Sequence, residues 1–319
     1  MARILVTGGA GFIGSHLVRG LLESGDEVVV LDDFSTGRWE NLREIEGRFT
    51  LVEGSLNDSS ALDRALDGVS GVLHEAAMPS VPKSVALPRP THLANIEGTL
   101  RLLDGARRAG VRRVVYAASS SAYGDQEAPR KSEDLTPRPL SPYAVQKLTG
   151  EYYCQIFTRL YGLEAIGLRY FNVFGPRQNP KSQYAAVIPA FVTRILAGQP
   201  PVIYGDGGQS RDFTFVRNVV AANVAALAAP AAACGEIYNA ACGEQTTLLD
   251  LAGLINEFLG TDLRPAHEPA RAGDVRASCA DPSRAEAALG FSARISVRDG
   301  LKETVAWYRD PANFSQGVT

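Results

Sequence analysis

Four cysteines and four histidines are all that 319 residues hold of the side chains that most often ligate transition metals. Cys154, Cys234, Cys242 and Cys279 form no Cys-x-x-Cys pair and have no histidine at a ligand spacing. That excludes a disulfide framework and an ordinary zinc site, and no metal is expected. Neither sign of charge dominates: 32 Lys and Arg stand against 35 Asp and Glu, a net charge of −3. Nothing here condenses generically on nucleic acid or anionic lipid, so neither is an expected partner. Long apolar runs are missing as well. The longest, 219–234, is interrupted by Asn223 and Pro230 and falls short of the roughly 20 residues that span a bilayer. Its alanines read as a buried helix packed close to a sheet. Met1 to Arg3 lead into Ile4-Leu5-Val6, too short an apolar run for a signal peptide, and a reducing cytoplasm is the expected location.

What is present is an ordinary globular mixture, 45% hydrophobic and 21% charged, in a chain long enough for a large α/β unit with a smaller partner. Short β-branched runs alternate with helical patterns through the first half, the signal of parallel βαβ units. Strands are expected at 3–7, 27–32, 50–53, 71–75, 114–118 and 164–169. Helices are expected at 12–24, 59–66, 92–109 and 142–161. A doubly wound parallel sheet follows, with ligands at the carboxyl ends of its strands. The second half changes character at the Gly-, Pro-, Asn- and Gln-rich loop 176–183 and at Gly205-Asp206-Gly207-Gly208. It reads as a smaller α/β domain, 176–319, closing over a first domain, 1–175, to which 213–236 returns.

Thr7-Gly8-Gly9-Ala10-Gly11-Phe12-Ile13-Gly14 follows the first expected strand and opens the first helix. Gly8 permits a tight turn, Gly11 lets backbone amides approach a pyrophosphate, and Gly14 allows close helix–strand packing. Asp32 ends the second strand, where a carboxylate accepts ribose hydroxyls and repels a 2′-phosphate, favouring NAD over NADP. Its bland alternative is a strand-end aspartate capping a turn. Farther on, Ser141-Pro142-Tyr143-Ala144-Val145-Gln146-Lys147 contains Tyr-x-x-x-Lys, which puts Tyr143 and Lys147 on one helix face. A lysine ammonium and a cationic nicotinamide there would pull the phenol down towards the working range. Ala117-Ala118-Ser119-Ser120-Ser121-Ala122-Tyr123-Gly124 brings hydroxyls to a strand's carboxyl end.

The Gly-x-x-Gly-x-x-Gly spacing resembles the extended short-chain dehydrogenase/reductase superfamily. Arg169-Tyr170-Phe171-Asn172 resembles the signature of its nucleotide-sugar epimerases. The resemblance implies a Rossmann domain binding NAD and a C-terminal domain binding a UDP-sugar. It places Gly8, Gly11, Phe12, Ile13, Gly14, Asp32, Ser55, Leu56, Ala76, Ala77, Tyr143, Lys147 and Tyr170 around NAD. His74-Glu75-Ala76-Ala77 matches the family's strand end, with His74 structural. Where many relatives carry Glu-Gly-Asp, this chain has Glu53-Gly54-Ser55-Leu56, leaving a hydroxyl and backbone for the adenine.

By the same resemblance, Ser119 is the catalytic serine, with Ser120 and Ser121 as fallbacks. Asn172, Arg211 and Arg271 hold the diphosphate, and Asp274 a ribose hydroxyl. Ser80, Ser120, Ser121, Ala186, Val187, Phe191, Val202 and Ser278 line the sugar and uracil. Pro79 stands before Ser80 where relatives often have glycine. The serine turn carries no carboxylate, which disfavours 4,6-dehydration and uronate decarboxylation and leaves oxidation and reduction at C4. The expectation is an NAD-dependent UDP-sugar 4-epimerase. Small Ser278 implies room for N-acetylated sugars beside UDP-glucose and UDP-galactose. The alternatives are a strict UDP-glucose epimerase, a dehydratase or UDP-glucuronate enzyme, and a non-catalytic NAD-binding regulator. The resemblance also implies a homodimer through a four-helix bundle, with Leu100, Leu103, Tyr153 and Phe157 as candidate contacts.

Overall fold

A computed structural model describes residues 1–180, 186–270 and 276–314. Seven parallel strands form the central sheet. In chain order its first six are β1 (Arg3–Thr7), β2 (Glu27–Asp32), β3 (Thr50–Glu53), β4 (Gly71–His74), β5 (Arg113–Ser119) and β6 (Glu164–Tyr170). Their spatial order is β3-β2-β1-β4-β5-β6, and Ile237–Ala240 adds a seventh strand beside β6. The order reverses between β1 and β4, so a cleft opens at the carboxyl ends of those two strands.

The strands are apolar on both sides because both faces are covered. Ile4 and Val6 of β1 and Val28 and Val30 of β2 belong to one buried cluster, covered by the helix Phe12–Glu23 and the alanine-rich Val216–Ala228. Leu5, Val29 and Leu31 point into the other, under Ser59–Leu66, Gly98–Arg108 and Pro142–Tyr161. A Cβ on Gly20 would stand 2.7 Å from a Val220 methyl, so small residues do let the first two helices pack closely. A third cluster, around Phe191, Leu251 and Leu301, holds the C-terminal half together.

Two elements depart from the sequence expectation. The helix expected over 92–109 is Pro88–His92, then a π turn over Leu93–Glu97, then Gly98–Arg108. The wider turn carries buried Asn95, whose amide brackets Met78: Oδ1 accepts the Met78 N–H at 2.8 Å and Nδ2 donates to its carbonyl at 3.3 Å. The strand Ile237–Ala240 was not expected at all. Among the described residues no helix is long and apolar enough to cross a membrane, and no cluster of His, Cys, Asp and Glu could hold a metal ion.

Candidate active site

The glycine turn leaves β1 with Gly8 at φ +67°, its N–H donating to Leu31 O at 2.8 Å. A Cβ at Gly8 would lie 2.7 Å from Ala76 N, and one at Gly14 only 2.1 Å from Gly8 O. Only glycine fits at either place. Gly11 is the N-cap of Phe12–Glu23 and has no side chain to cap it. The first-turn amides of Phe12, Ile13 and Gly14 are thus left for an outside acceptor at the positive end of the helix. The Phe12 and Ile13 side chains point away from the turn, into the C-terminal cluster.

On the β2 side, Asp32 is buried and accepts the N–H groups of Ala10 and Phe34, each at 2.8 Å. It therefore performs the turn-capping role at the end of β2. Burial raises its pKa, against those two hydrogen bonds. Ser55 accepts the Asn57 N–H at 3.3 Å, while the Leu56 side chain is buried against Gly98, leaving only its backbone to face a ligand. Ala76 and Ala77 follow β4 and are partly open, with Ala76 N donating to Thr7 Oγ1 at 3.2 Å. An uncapped helix start, glycines without room for a Cβ and an acid at the end of β2 fit a dinucleotide laid across the cleft.

The serine turn and the Tyr-x-x-x-Lys helix meet at the end of β5. Ser141 caps Pro142–Tyr161 by accepting the Ala144 N–H at 3.2 Å, and Pro142 occupies its first turn. Tyr143 stands in the first turn of that helix, and the nearby hydroxyl of Ser119, the last residue of β5, favours its phenolate. Ser119 Oγ accepts from the Ser121 hydroxyl at 2.9 Å and the Ser121 amide at 3.2 Å. Ser120 and Ser121 lie in the short turn Ser120–Tyr123.

The expected role of Lys147 in lowering the tyrosine is not what the isolated protein shows. Burial pushes Tyr143 up to about 12, with Glu75 adding to the rise, and the opposing influence is the Ser119 hydroxyl. Lys147 instead lies buried with Nζ donating to Ala117 O at 2.8 Å, over the Tyr116 ring. Burial lowers its own pKa, against the charges of Glu75 and Glu151.

The substrate candidates are less tightly gathered. Ser80 is the N-cap of Val81–Ala86. Asn172 sits at φ +31° with Nδ2 donating to Asp212 O at 3.0 Å. Ala186 and Val187 start the helix Val187–Leu196 and are at least partly exposed, but Phe191 is 2% exposed inside the C-terminal cluster. Phe191 therefore supports the wall and does not line it. Val202 is half-buried and pairs with Ala266. Arg211 and Ser278 are register partners on adjacent strands, which brings the arginine and the small residue to one place. Arg271 and Asp274 lie outside the described residues.

Sequence reasoning missed the polar groups beneath these. Tyr170 Oη donates to Glu75 Oε1 at 2.7 Å, and Asn223 Nδ2 donates to the same hydroxyl at 2.8 Å. Asn95 Nδ2 donates to Gln146 Oε1 at 2.8 Å, tying the loop after β4 to the Tyr143 helix. The signal for both was an acid or amide standing alone at an otherwise apolar strand end or helix face. Two of the four candidate apolar contacts, Leu103 and Phe157, are buried and face the chain's own sheet. The exposed large apolar residues on Pro142–Tyr161 are Val145, Tyr152, Ile156, Leu160 and Tyr161, at 48, 53, 42, 62 and 54% exposure.

Residues 4–241 match the family described as the NAD dependent epimerase/dehydratase family. The chain is 40% identical over 312 residues to the UDP-glucose 4-epimerase of Mycolicibacterium smegmatis, covering 97% of this chain and 99% of that protein. Among solved structures it is similar to the UDP-N-acetylglucosamine 4-epimerase of Methanobrevibacter ruminantium in complex with UDP-N-acetylmuramic acid. That likeness has a TM-score of 0.92 and 37% identity, covering 99% of each chain. It is also similar to the UDP-glucuronic acid 4-epimerase of Bacillus cereus in complex with UDP-glucuronic acid and NAD. There the TM-score is 0.88 and the identity 33%, covering 96% of this chain and 98% of that one.

Proposed function

We propose, since this chain belongs to the NAD-dependent epimerase/dehydratase family, that it inverts C4 of a UDP-hexose. The pair taken is UDP-N-acetylglucosamine and UDP-N-acetylgalactosamine, with UDP-glucose and UDP-galactose also accepted. NAD is its cofactor. The observation that carries the reading is the meeting of Tyr143 with the serine turn at the end of β5, whose Ser119 hydroxyl favours the phenolate and which holds no carboxylate. A phenol and a hydroxyl can move a proton at a sugar oxygen, but no acid is present there to expel water.

Bound NAD supplies the acceptor and donor of hydride at C4. The chain supplies the rest. Tyr143 takes the proton from the C4 hydroxyl as C4 is oxidised and returns it to the same oxygen once the 4-keto sugar has presented its other face. Ser119 donates to that oxygen and steadies the phenolate. Lys147 orients the nicotinamide ribose through its ammonium. Burial holds Tyr143 high in the isolated protein, so the phenolate depends on positive charge arriving with the ligands. Arg211 and Asn172 anchor the diphosphate, joined by Arg271, with Asp274 on the ribose; the sugar turns about that anchor.

The first domain, 1–175 with 213–236, carries NAD on this reading, and 176–319 carries the UDP-sugar. The exposed apolar residues on Pro142–Tyr161 support a homodimer, and the cell compartment is a reducing cytoplasm. The test is a coupled assay on purified protein with no added nicotinamide. Interconversion of the acetylated pair is the expected result. Turnover confined to UDP-glucose and UDP-galactose, or to UDP-glucuronate, would replace the substrate assignment. Release of a 4-keto-6-deoxy sugar would overturn the reaction.

A further inference from the structure

Glu75 directly follows β4, and strand alternation turns it away from the face taken by His74. His74 points into the sheet's helix-covered side, between Thr7 Oγ1 at 2.8 Å and Thr99 Oγ1 at 2.9 Å. Glu75 stays partly open to the cleft. Its Oε1 accepts the Tyr170 hydroxyl, whose oxygen is in turn occupied by Asn223. A phenol engaged as donor and as acceptor holds its proton in one direction, so the carboxylate is fixed in place. Burial raises Glu75 to about 7, against the Tyr170 hydrogen bond and the charge of Lys147, and Glu75 in turn favours the lysine ammonium that burial disfavours. The other titratable groups at this point are Tyr143, Cys154 and Glu151 on the lysine's helix, the last neutralised by its ion pair with Arg169, with Tyr170 on β6 and neutral His74 on β4.

The dinucleotide's direction follows from the fold. Pyrophosphate belongs at the start of Phe12–Glu23, after β1, and Asp32 draws the adenosine half over β2. The nicotinamide half must then run the other way, over the ends of β4, β5 and β6. Glu75, Ser119 and Tyr170 stand at those ends.

We propose that Glu75 is a positioning residue whose carboxylate, fixed by Tyr170 and Asn223, is the counter-charge to Lys147 and sets which redox form of the cofactor the cleft holds. Oxidised nicotinamide carries a positive charge and reduced nicotinamide carries none. Beside Lys147 alone the neutral, reduced ring is favoured. A carboxylate brings the local sum to zero and removes that bias, so the oxidised form needed to begin each turnover is retained. The inference rests on the use of NAD and is independent of which sugar is turned over.

The test is calorimetric titration of cofactor-stripped protein with NAD and, separately, NADH, with no sugar present. Glu75→Gln keeps the shape and an acceptor for Tyr170 but removes the charge. Its affinity ratio should move towards NADH by roughly tenfold or more, since even about 12 Å away one unit charge is worth about tenfold at an effective dielectric of about 20. Glu75→Asp keeps the charge and should hold near the wild-type ratio. Tyr170→Phe removes the hydrogen bond but not the charge and should shift the ratio less than Glu75→Gln. A role in packing alone would weaken both cofactor forms together. An unchanged ratio in Glu75→Gln, an equal shift in Tyr170→Phe, or wild-type protein that binds neither form would overturn the proposal. Failure to epimerise any UDP-sugar would leave it standing.

Discussion

The end of the parallel sheet and the C-terminal wall are built to different standards of fixity. At the sheet end, each reacting side chain leaves a strand or helix of several turns and meets partners fixed in the same way. Lys147 is held by Ala117 O, and Tyr170 by both Glu75 and Asn223. In the wall, Arg211 and Ser278 sit on paired strands of only two residues each. The difference teaches where chemistry and selectivity can change independently. A damaged sheet end should fail with every sugar, whereas a change in the wall should sort one sugar from another.

The largest effect should come from Tyr143→Phe, which keeps the ring and removes the oxygen. Turnover should fall by roughly 10²–10⁴-fold on every UDP-sugar, with substrate affinity changed far less. Steady-state kinetics on both sugar pairs check this. Loss on one pair only would break the division between the two regions.

Next in size is the buried pair under the sheet end. Arg169 Nε and Nη2 donate to Glu151 at 2.9 and 2.7 Å, with side chains 4 and 2% exposed. Glu151→Ala leaves an uncompensated guanidinium and should cost about 3–5 kcal/mol of stability. Denaturant unfolding measures it. Since Arg169 continues into Tyr170 and Asn172, catalysis on all sugars should decline together.

His74 gives a smaller, pH-dependent effect at the same end. Burial lowers its pKa from 6.5 to about 3, so the folded protein keeps it neutral where the unfolded chain protonates it. The contribution is complete above about pH 6.5 and is lost progressively as pH falls towards 3. Between pH 7 and pH 5 the loss should reach about 2 kcal/mol. His74→Asn should flatten that part of the stability profile, measured by unfolding at each pH. An unchanged slope would show that the histidine titrates freely.

The same contrast explains what could be read from the residues alone. Alternating apolar runs located β1 to β6 to within a residue or two, because strands covered on both faces write a long, unbroken pattern. Tyr143, Lys147 and Ser119 were legible because each lies in a string with fixed spacing on such an element. The π turn at Leu93–Glu97 was not, since inward Asn95 is chosen by its bond to Met78, a contact distant in sequence. Glu75 escaped notice for the same reason: its hydrogen-bond partner Tyr170 lies on β6, and the charge it acts on, Lys147, on Pro142–Tyr161. Two-residue strands such as Ser210–Arg211 carry too little periodicity to be found. Phe191 was singled out only through the family resemblance, and which way it faces depends on a core assembled from Val187–Leu196, Leu248–Leu259 and Val297–Arg309.

The wall itself is tested at Ser278, with the smallest expected change. Its backbone is pinned on the neighbouring strand: Asp212 N donates to Ser278 O at 2.8 Å, and Ser210 N donates to Arg276 O at 3.0 Å. The carboxylate of Asp212 accepts the N–H groups of Gly243 at 2.9 Å and Ala280 at 3.1 Å, fixing the strand's continuation. A new side chain at 278 therefore cannot be absorbed by moving the strand, and the half-buried serine leaves space that a tyrosine ring would fill. Ser278→Tyr should suppress the N-acetylated pair while sparing UDP-glucose and UDP-galactose, an overpacking penalty of about 1–3 kcal/mol against the larger C2 substituent. Relative kcat/KM on the two pairs reads it directly. Equal loss on both would mean that the ring disturbs the Arg211 anchor opposite it rather than the sugar's C2 side, and the separation of selectivity from chemistry would fail at the residue where it is most exposed to test.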